Sequence, residues 1–284
     1  MRDSAALRVR AVCLLSVVVS SGMLVARVVK LRANSDTPIQ VPLKERKQGE
    51  IRPGLWRTVE QTEELEPKKT AVIICDMWDN HWCRGAAKRV QKLAVRMVPV
   101  LDAARRHGIL IIHAPSDTID FYKDAPERKI AEAAPPISPP ENRPVLEGPL
   151  PIDFADGGCD TSPPDKYYKA WTRENAIIPI AKEDLISTDG IEIYRNLKSR
   201  GIETVMYVGV HANICILKRS FALRQMRAWG VRCLLIRDLT DAMYNPHDAP
   251  YVSHEQGTEL VIRHIERFLA PSLVSSDLLQ ALGH

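Results

Sequence analysis

Three residues of this 284-residue chain have types and positions that suit acyl transfer: Cys215, Asp76 and Lys182. Cys215 follows the apolar run 203–209 (ETVMYVG) through Val210-His211-Ala212-Asn213-Ile214 and opens a helix-like segment. A thiol at a helix N-terminus meets a partial positive charge and free N–H groups, which favour the thiolate. The same N–H groups can hold a developing oxyanion. Asp76 ends the apolar run 70–75 (TAVIIC), and an Asp emerging from a buried strand can act as a general base. Lys182 follows a third apolar run, 176–180 (AIIPI). A nucleophile, a base and oxyanion donors on one sheet edge suffice for acyl transfer. The same residues have a plainer reading: a small buried thiol, a strand-end cap and a surface lysine. Residue types alone leave both readings open.

The elements that must position these residues alternate along the chain. Strands are expected at 70–75, 109–113, 176–180, 203–209 and 231–236, with a short one at 272–275. Residue Pro179 puts 176–180 near a sheet edge. Helices are expected at 86–106, 189–200, 215–229 and 254–269; the first places Val90, Leu93, Ala94, Met97, Val98 and Leu101 at helical spacing. Continuous apolar strands between amphipathic helices specify an α/β fold. The expectation is a single Rossmann-like three-layer domain over 69–276, with a mostly parallel sheet of about five or six strands and helices on both faces. Such sheets bind ligands beyond the carboxyl ends of their strands. Residues 34–68 are polar, rich in proline and aperiodic, and read as a linker or arm; 277–284 read as a tail. The long proline-rich insertion 124–175 reads as lid-like.

Residues 71–79 (AVIICDMWD) and 201–217 (GIETVMYVGVHANICIL) resemble the isochorismatase-like cysteine hydrolases, a family that includes nicotinamidases, N-carbamoylsarcosine amidases and isochorismatases. The pattern is a strand ending in Asp-Met, a lysine after the third strand, and Gly-Val-x-x-x-x-Cys opening a helix. Here it falls on Asp76-Met77, Lys182 and Gly209 to Cys215. The resemblance implies that Cys215 attacks a carbonyl carbon and Asp76 moves the proton. Lys182 would keep both partners ionised; Lys169 and Arg173 are substitutes for it. The resemblance also implies a cis bond between Val210 and His211, with the N–H groups of His211 and Cys215 as oxyanion hole. The substrate would be a small amide or carbamoyl compound, cleaved through a thioester. Two other classes stay open: a non-catalytic small-molecule binding relative, and a vinyl-ether hydrolase, since isochorismatases work without the cysteine. Trp78, His81, His113 and Val210 are further candidates for the pocket wall, each with local packing as its plainer role. Asn213 is expected to order the loop, and Asp238, Asp241, Tyr244 and His254 to form a capping network.

Residues 113–118 (HAPSDT) lack the Asp-x-His pair of nicotinamidases, so no metal and no other cofactor is expected. The formal net charge is +4, but residues 1–33 hold six Lys or Arg against one Asp. Subtracting that +5 leaves −1 for residues 34–284, which argues against a nucleic-acid partner. A basic stretch (2–10) followed by an uncharged apolar one (11–26) matches an export signal. The run is shorter than the ~20 residues of a typical spanning helix. A secreted or periplasmic location is therefore expected, with an uncleaved N-terminal segment as the alternative and the only route to membrane attachment. Family members include oligomers, so a homo-oligomer is among the expected states. Outside the leader lie Cys75, Cys83, Cys159, Cys215 and Cys233. Cys75 and Cys233 sit in apolar runs and read as buried thiols. Cys83 and Cys159 sit in polar surroundings, and a bridge between them is an expectation.

Overall fold

The computed structural model describes residues 37–49 and 54–284. The expected export signal, residues 1–33, lies outside the described residues. The sheet is built from β1 (Ile39–Gln48), β2 (Trp56–Leu65), β3 (Thr70–Cys75), β4 (Leu110–Ala114), β5 (Leu185–Ile186), β6 (Thr204–Val210), β7 (Arg232–Asp241) and β8 (Ser272–Leu273). The helices are α1 (Arg84–Arg106), α2 (Pro126–Glu132), α3 (Gly190–Ser199), α4 (Cys215–Lys218), α5 (Leu223–Ala228), α6 (His254–Phe268) and α7 (Ser275–Ala281).

The eight strands lie in the order β2-β1-β8-β7-β6-β3-β4-β5. From β8 to β5 all pairings are parallel; β1 joins β8 and β2 antiparallel. Alternation along each strand divides the core into two layers. Ala71, Ile73, Cys75, Val205, Tyr207, Cys233 and Leu235 face α3, α5 and α6. Val72, Ile74, Met206, Val208, Leu234 and Ile236 face α1 and α7. This is the expected three-layer α/β architecture, with a larger sheet than expected.

The added strands, β1 and β2, come from the segment expected to be a linker or arm, which lies on the sheet edge as an arm. Ile39, Val41 and Leu43 alternate with polar residues and bury one face against the α7 layer. Period-2 patterning hidden among prolines and charges makes this segment a hairpin. A second correction concerns 176–180, which form a turn. Asn175 Oδ1 accepts from the Ile177 N–H and the Asn175 carbonyl from the Ile178 N–H. The edge strand is Leu185–Ile186, paired with Ile112 and His113 of β4. The proposed helix 215–229 is broken into α4 and α5 at Arg219, whose backbone is extended (φ −61°, ψ 156°). The expected tail contains α7, whose first turn is held by Asp238 accepting from the Ser275 N–H and hydroxyl. No helix among the described residues is long and apolar enough to cross a membrane.

The chain runs outward from β3 to β4 and β5, then returns on the other side of β3 as β6 and continues to β7 and β8. The reversal point of the sheet therefore lies between β3 and β6, where the loops leaving their carboxyl ends diverge and open a crevice. Asp76 leaves β3 at this point, and the segment carrying Cys215 leaves β6.

Candidate active site

Two backbone features set the geometry at this crevice. Asp76 turns out of β3 in the left-handed region (φ 46°), which an L residue other than Asn or Asp rarely adopts. Gly209 (φ 106°) passes so close to β3 that a Cβ would run into the Cys75 carbonyl oxygen. Only glycine fits there, and the close approach brings the two loops together. The Val210–His211 peptide is cis, as the resemblance implied. Asn213 then clamps the loop: its amide donates to the Met243 carbonyl at 2.9 Å and its Oδ1 accepts from the Met243 N–H at 2.8 Å.

Asp76 is fully buried and Cys215 is 7% exposed. Burial raises the pKa of the Asp76 carboxyl; Arg219, the Cys215 thiol and Ser116 oppose the rise. Ser116 N–H donates to Oδ1 at 2.8 Å and Arg219 Nε donates to Oδ2 at 2.9 Å. Burial also pushes the Cys215 thiol up, and the adjacent Asp76 charge pushes it further; Arg219 pulls it down. Cys215 and Asp76 are neighbours, each acting on the other's pKa. Burial and the Asp76 charge thus both favour the protonated Cys215 thiol, and Arg219 favours the carboxylate form of Asp76. The expected lowered cysteine pKa is not found. Helix α4 has four residues, too short for a substantial helix dipole, and the buried carboxylate outweighs what remains.

The cation on Asp76 is Arg219. Lys182 is exposed and precedes β5. In a parallel sheet that places it at the amino edge, away from the carboxyl edge of β3 and β6. The adjoining Glu183 and Asp184 share a cleft there with Lys68, Arg105 and Arg200. Lys182 as the site lysine is thus corrected, because the strand it was counted from lies at 185–186. Nor do the substitutes reach Asp76 in its place. Lys169 donates to the Asp117 carbonyl at 2.9 Å, and exposed Arg173 lies over the Phe121 ring. Arg219 was legible from spacing: it stands four residues after Cys215, one helical turn away, and its N–H donates to the Cys215 carbonyl at 3.1 Å. Its Nη2 also donates to Asp117 at 3.0 Å.

The pocket candidates divide. Trp78 donates its indole N–H to the Ser116 carbonyl and stacks on Trp171 of the insertion at 4.3 Å between ring centroids. His81 stacks on Trp171 at 5.8 Å and meets the His211 ring edge-on at 5.1 Å. Burial lowers His81 to about 4 and His211 to about 3, so both imidazoles are neutral near pH 7. His211 Nε2 is buried without a hydrogen-bond partner. Trp171 was missed because it lies almost a hundred residues beyond the loop it covers.

His113 and Val210 are corrected as pocket residues. Val210 is fully buried in the layer under α1 and α7. His113 is also fully buried, with Nδ1 on Glu174 at 2.6 Å and Nε2 on Asp184 at 3.0 Å. Burial would lower it, but the two carboxylates outweigh burial and raise it to about 9. It anchors the end of the insertion beside β4, where Asn175 N–H also donates to the Met77 carbonyl at 2.7 Å. Asp241 and His254 form the expected network: His254 Nε2 lies 2.8 Å from Asp241, and Arg89 bridges Asp241 to Asp160.

No protein-family model matches the chain, and no curated protein does. Solved structures do. A cysteine hydrolase from Pseudomonas syringae pv. phaseolicola 1448A is 14% identical with a TM-score of 0.46, covering 77% of this chain and 94% of its own. An isochorismatase from Pseudomonas putida KT2440 is 14% identical with a TM-score of 0.45, covering 74% and 90%. A nicotinamidase from Bacillus subtilis is 17% identical with a TM-score of 0.36, covering 71% and 99%. The chain is similar to these structures.

Proposed function

We propose that this protein is a cysteine hydrolase of the isochorismatase-like kind, cleaving the C–N bond of a small amide or carbamoyl compound. The observation that carries the reading is the buried Asp76 carboxyl, held by Arg219 and Ser116 beside the Cys215 thiol. Cys215 Sγ attacks the carbonyl carbon as Asp76 takes its proton. The N–H groups of His211 and Cys215 receive the oxyanion. Asp76 then protonates the leaving amine as the C–N bond breaks, leaving a thioester on Cys215. Water, deprotonated by Asp76, attacks the thioester, and the thiol recovers its proton. Arg219 keeps Asp76 a carboxylate at the start of each half-reaction.

The insertion supports the reading by placing Trp171 against Trp78 and His81, which gives the site a drier aromatic wall. The test is amine or ammonia release from a panel of amide and carbamoyl compounds. Loss of release in both Cys215→Ala and Asp76→Asn is expected. Unchanged hydrolysis by Cys215→Ala would overturn the nucleophile and leave the vinyl-ether class. Saturable binding of the panel without turnover by the native chain would leave a binding relative.

A further inference from the structure

Outside the catalytic centre, Cys83 and Cys159 are brought together from distant parts of the chain. Cys83 is the N-cap residue of α1 and Cys159 lies in the insertion. Both are buried free thiols. The two sulfurs and an Asp165 carboxylate oxygen all lie within 4.8 Å of one another. Cys83, Ala86, Cys159 and Met243 form a small core of their own, with Trp82 and Ile214 packed against it.

The two segments are pinned together without any bond between the sulfurs. A Cβ on Gly85 would run into the Asp160 carboxylate, and one on Gly158 into the Met243 carbonyl. Arg89 pairs with Asp160, and Arg84 with Asp165 at 2.8 Å. The Cys83 thiol points to Asp160 Oδ1 at 3.5 Å. The entropy of bringing residues 83 and 159 together is thus already met by packing and ion pairs.

We propose that Cys83 and Cys159 form an intramolecular disulfide that ties the insertion to the start of α1. The disulfide is favoured over a bound cation because the Asp165 carboxylate of the cluster is already paired with Arg84, and the neighbouring Asp160 with Arg89, and these arginines would repel one. Zinc sites also take four ligands as a rule, and the cluster offers three. The oxidant is a low-molecular-weight disulfide such as glutathione disulfide. Cys159, 3% exposed against 0% for Cys83, gives up its proton and attacks that disulfide, releasing one thiolate. Cys83 gives up its proton and attacks the Cys159 sulfur of the mixed disulfide, releasing the second. The two protons go to the two released thiolates.

The consequence reaches the catalytic loop. Met243 packs on the sulfur pair and is the residue that Asn213 clamps; Ile214, also packed there, precedes Cys215. A bond between the sulfurs therefore fixes the floor under residues 211–215 and the root of the segment bearing Trp171. It leaves Cys215 free, and it does not depend on what Cys215 does.

The test refolds the full chain in a glutathione redox buffer, alkylates the remaining thiols and maps peptides without reduction. A peptide linking Cys83 to Cys159 is expected, with Cys13, Cys75, Cys215 and Cys233 alkylated. The oxidised protein should melt on the order of 5–10 °C above the reduced one, a shift absent in Cys159→Ser. Native-like circular dichroism in that variant keeps the comparison valid. Free or singly glutathionylated Cys83 and Cys159 in folded protein would overturn the disulfide. So would one zinc ion per reduced chain, bound through these cysteines and blocking their oxidation.

Discussion

At the residue scale the unusual feature is an arginine on the buried aspartate. Arginine does not deprotonate in proteins, so Asp76 keeps a full counter-charge at every pH the fold survives. Arg219→Met would leave a buried carboxylate unpaired, at a cost of about 3 kcal/mol and at least ~100-fold in turnover. Chemical denaturation and the amide panel check the two effects separately. Arg219→Lys should recover more activity than Arg219→Met, because the charge is restored and only the fork geometry is lost. A second prediction runs against intuition. Asp76→Asn should lower the apparent pKa of Cys215, since the carboxylate raises it and Arg219 lowers it, while abolishing turnover. Alkylation rate against pH, followed by peptide mass spectrometry, reads the first effect. Asp76 was legible because it ends an apolar run, Cys215 because it opens the helix-like segment after another, and the family resemblance singled out both. The cation was misread because a lysine was sought near a distant strand, while Arg219 stood one turn from Cys215.

At the element scale, strands β3, β4, β6 and β7 were legible from continuous apolar runs, and α1 and α6 from their periodicity. Strands β1, β2 and β5 were not. Polar residues and prolines mask the alternation of β1 and β2, and β1 joins the sheet through β8, supplied late in the chain. The stretch 176–180 is apolar enough for a strand, but Asn175 turns it through local hydrogen bonds. That local competition moved the edge strand to 185–186 and took Lys182 off the carboxyl edge of the sheet. The close approach of β6 to β3 gives a prediction. Gly209→Ala should cost more than about 3 kcal/mol, because strain at positive φ adds to overlap with the Cys75 carbonyl. Urea denaturation would measure it. The His113 anchor gives another. Its folded pKa of about 9 lies above the unfolded value of roughly 6.5. Its stabilisation is therefore complete below roughly pH 6.5 and is lost as pH rises through about 9. Tm should fall across that window, and His113→Gln should flatten the fall while lowering Tm at pH 6.

At the scale of the whole molecule, the sheet reversal and the insertion together make the site. The reversal brings Asp76 and the Cys215 loop to one crevice. The insertion leaves after β4 and returns with Trp171 on Trp78 and Glu174 on His113, so the wall of the site is anchored in the core of the domain. That long-range closure was invisible in the sequence, where 124–175 has no period to follow. Trp171→Ala should leave the fold standing and raise KM more than it lowers kcat, since the indole touches the loop and not the reacting atoms. The central claim is that Cys215, driven by Asp76 and Arg219, forms an acyl bond. Intact-mass and peptide mapping after mixing the protein with an activated ester such as p-nitrophenyl acetate tests it most directly. The account predicts one acyl group per chain, on Cys215, formed in a burst and absent in Cys215→Ala. Acylation spread over other residues, or a burst that survives Cys215→Ala, would contradict it.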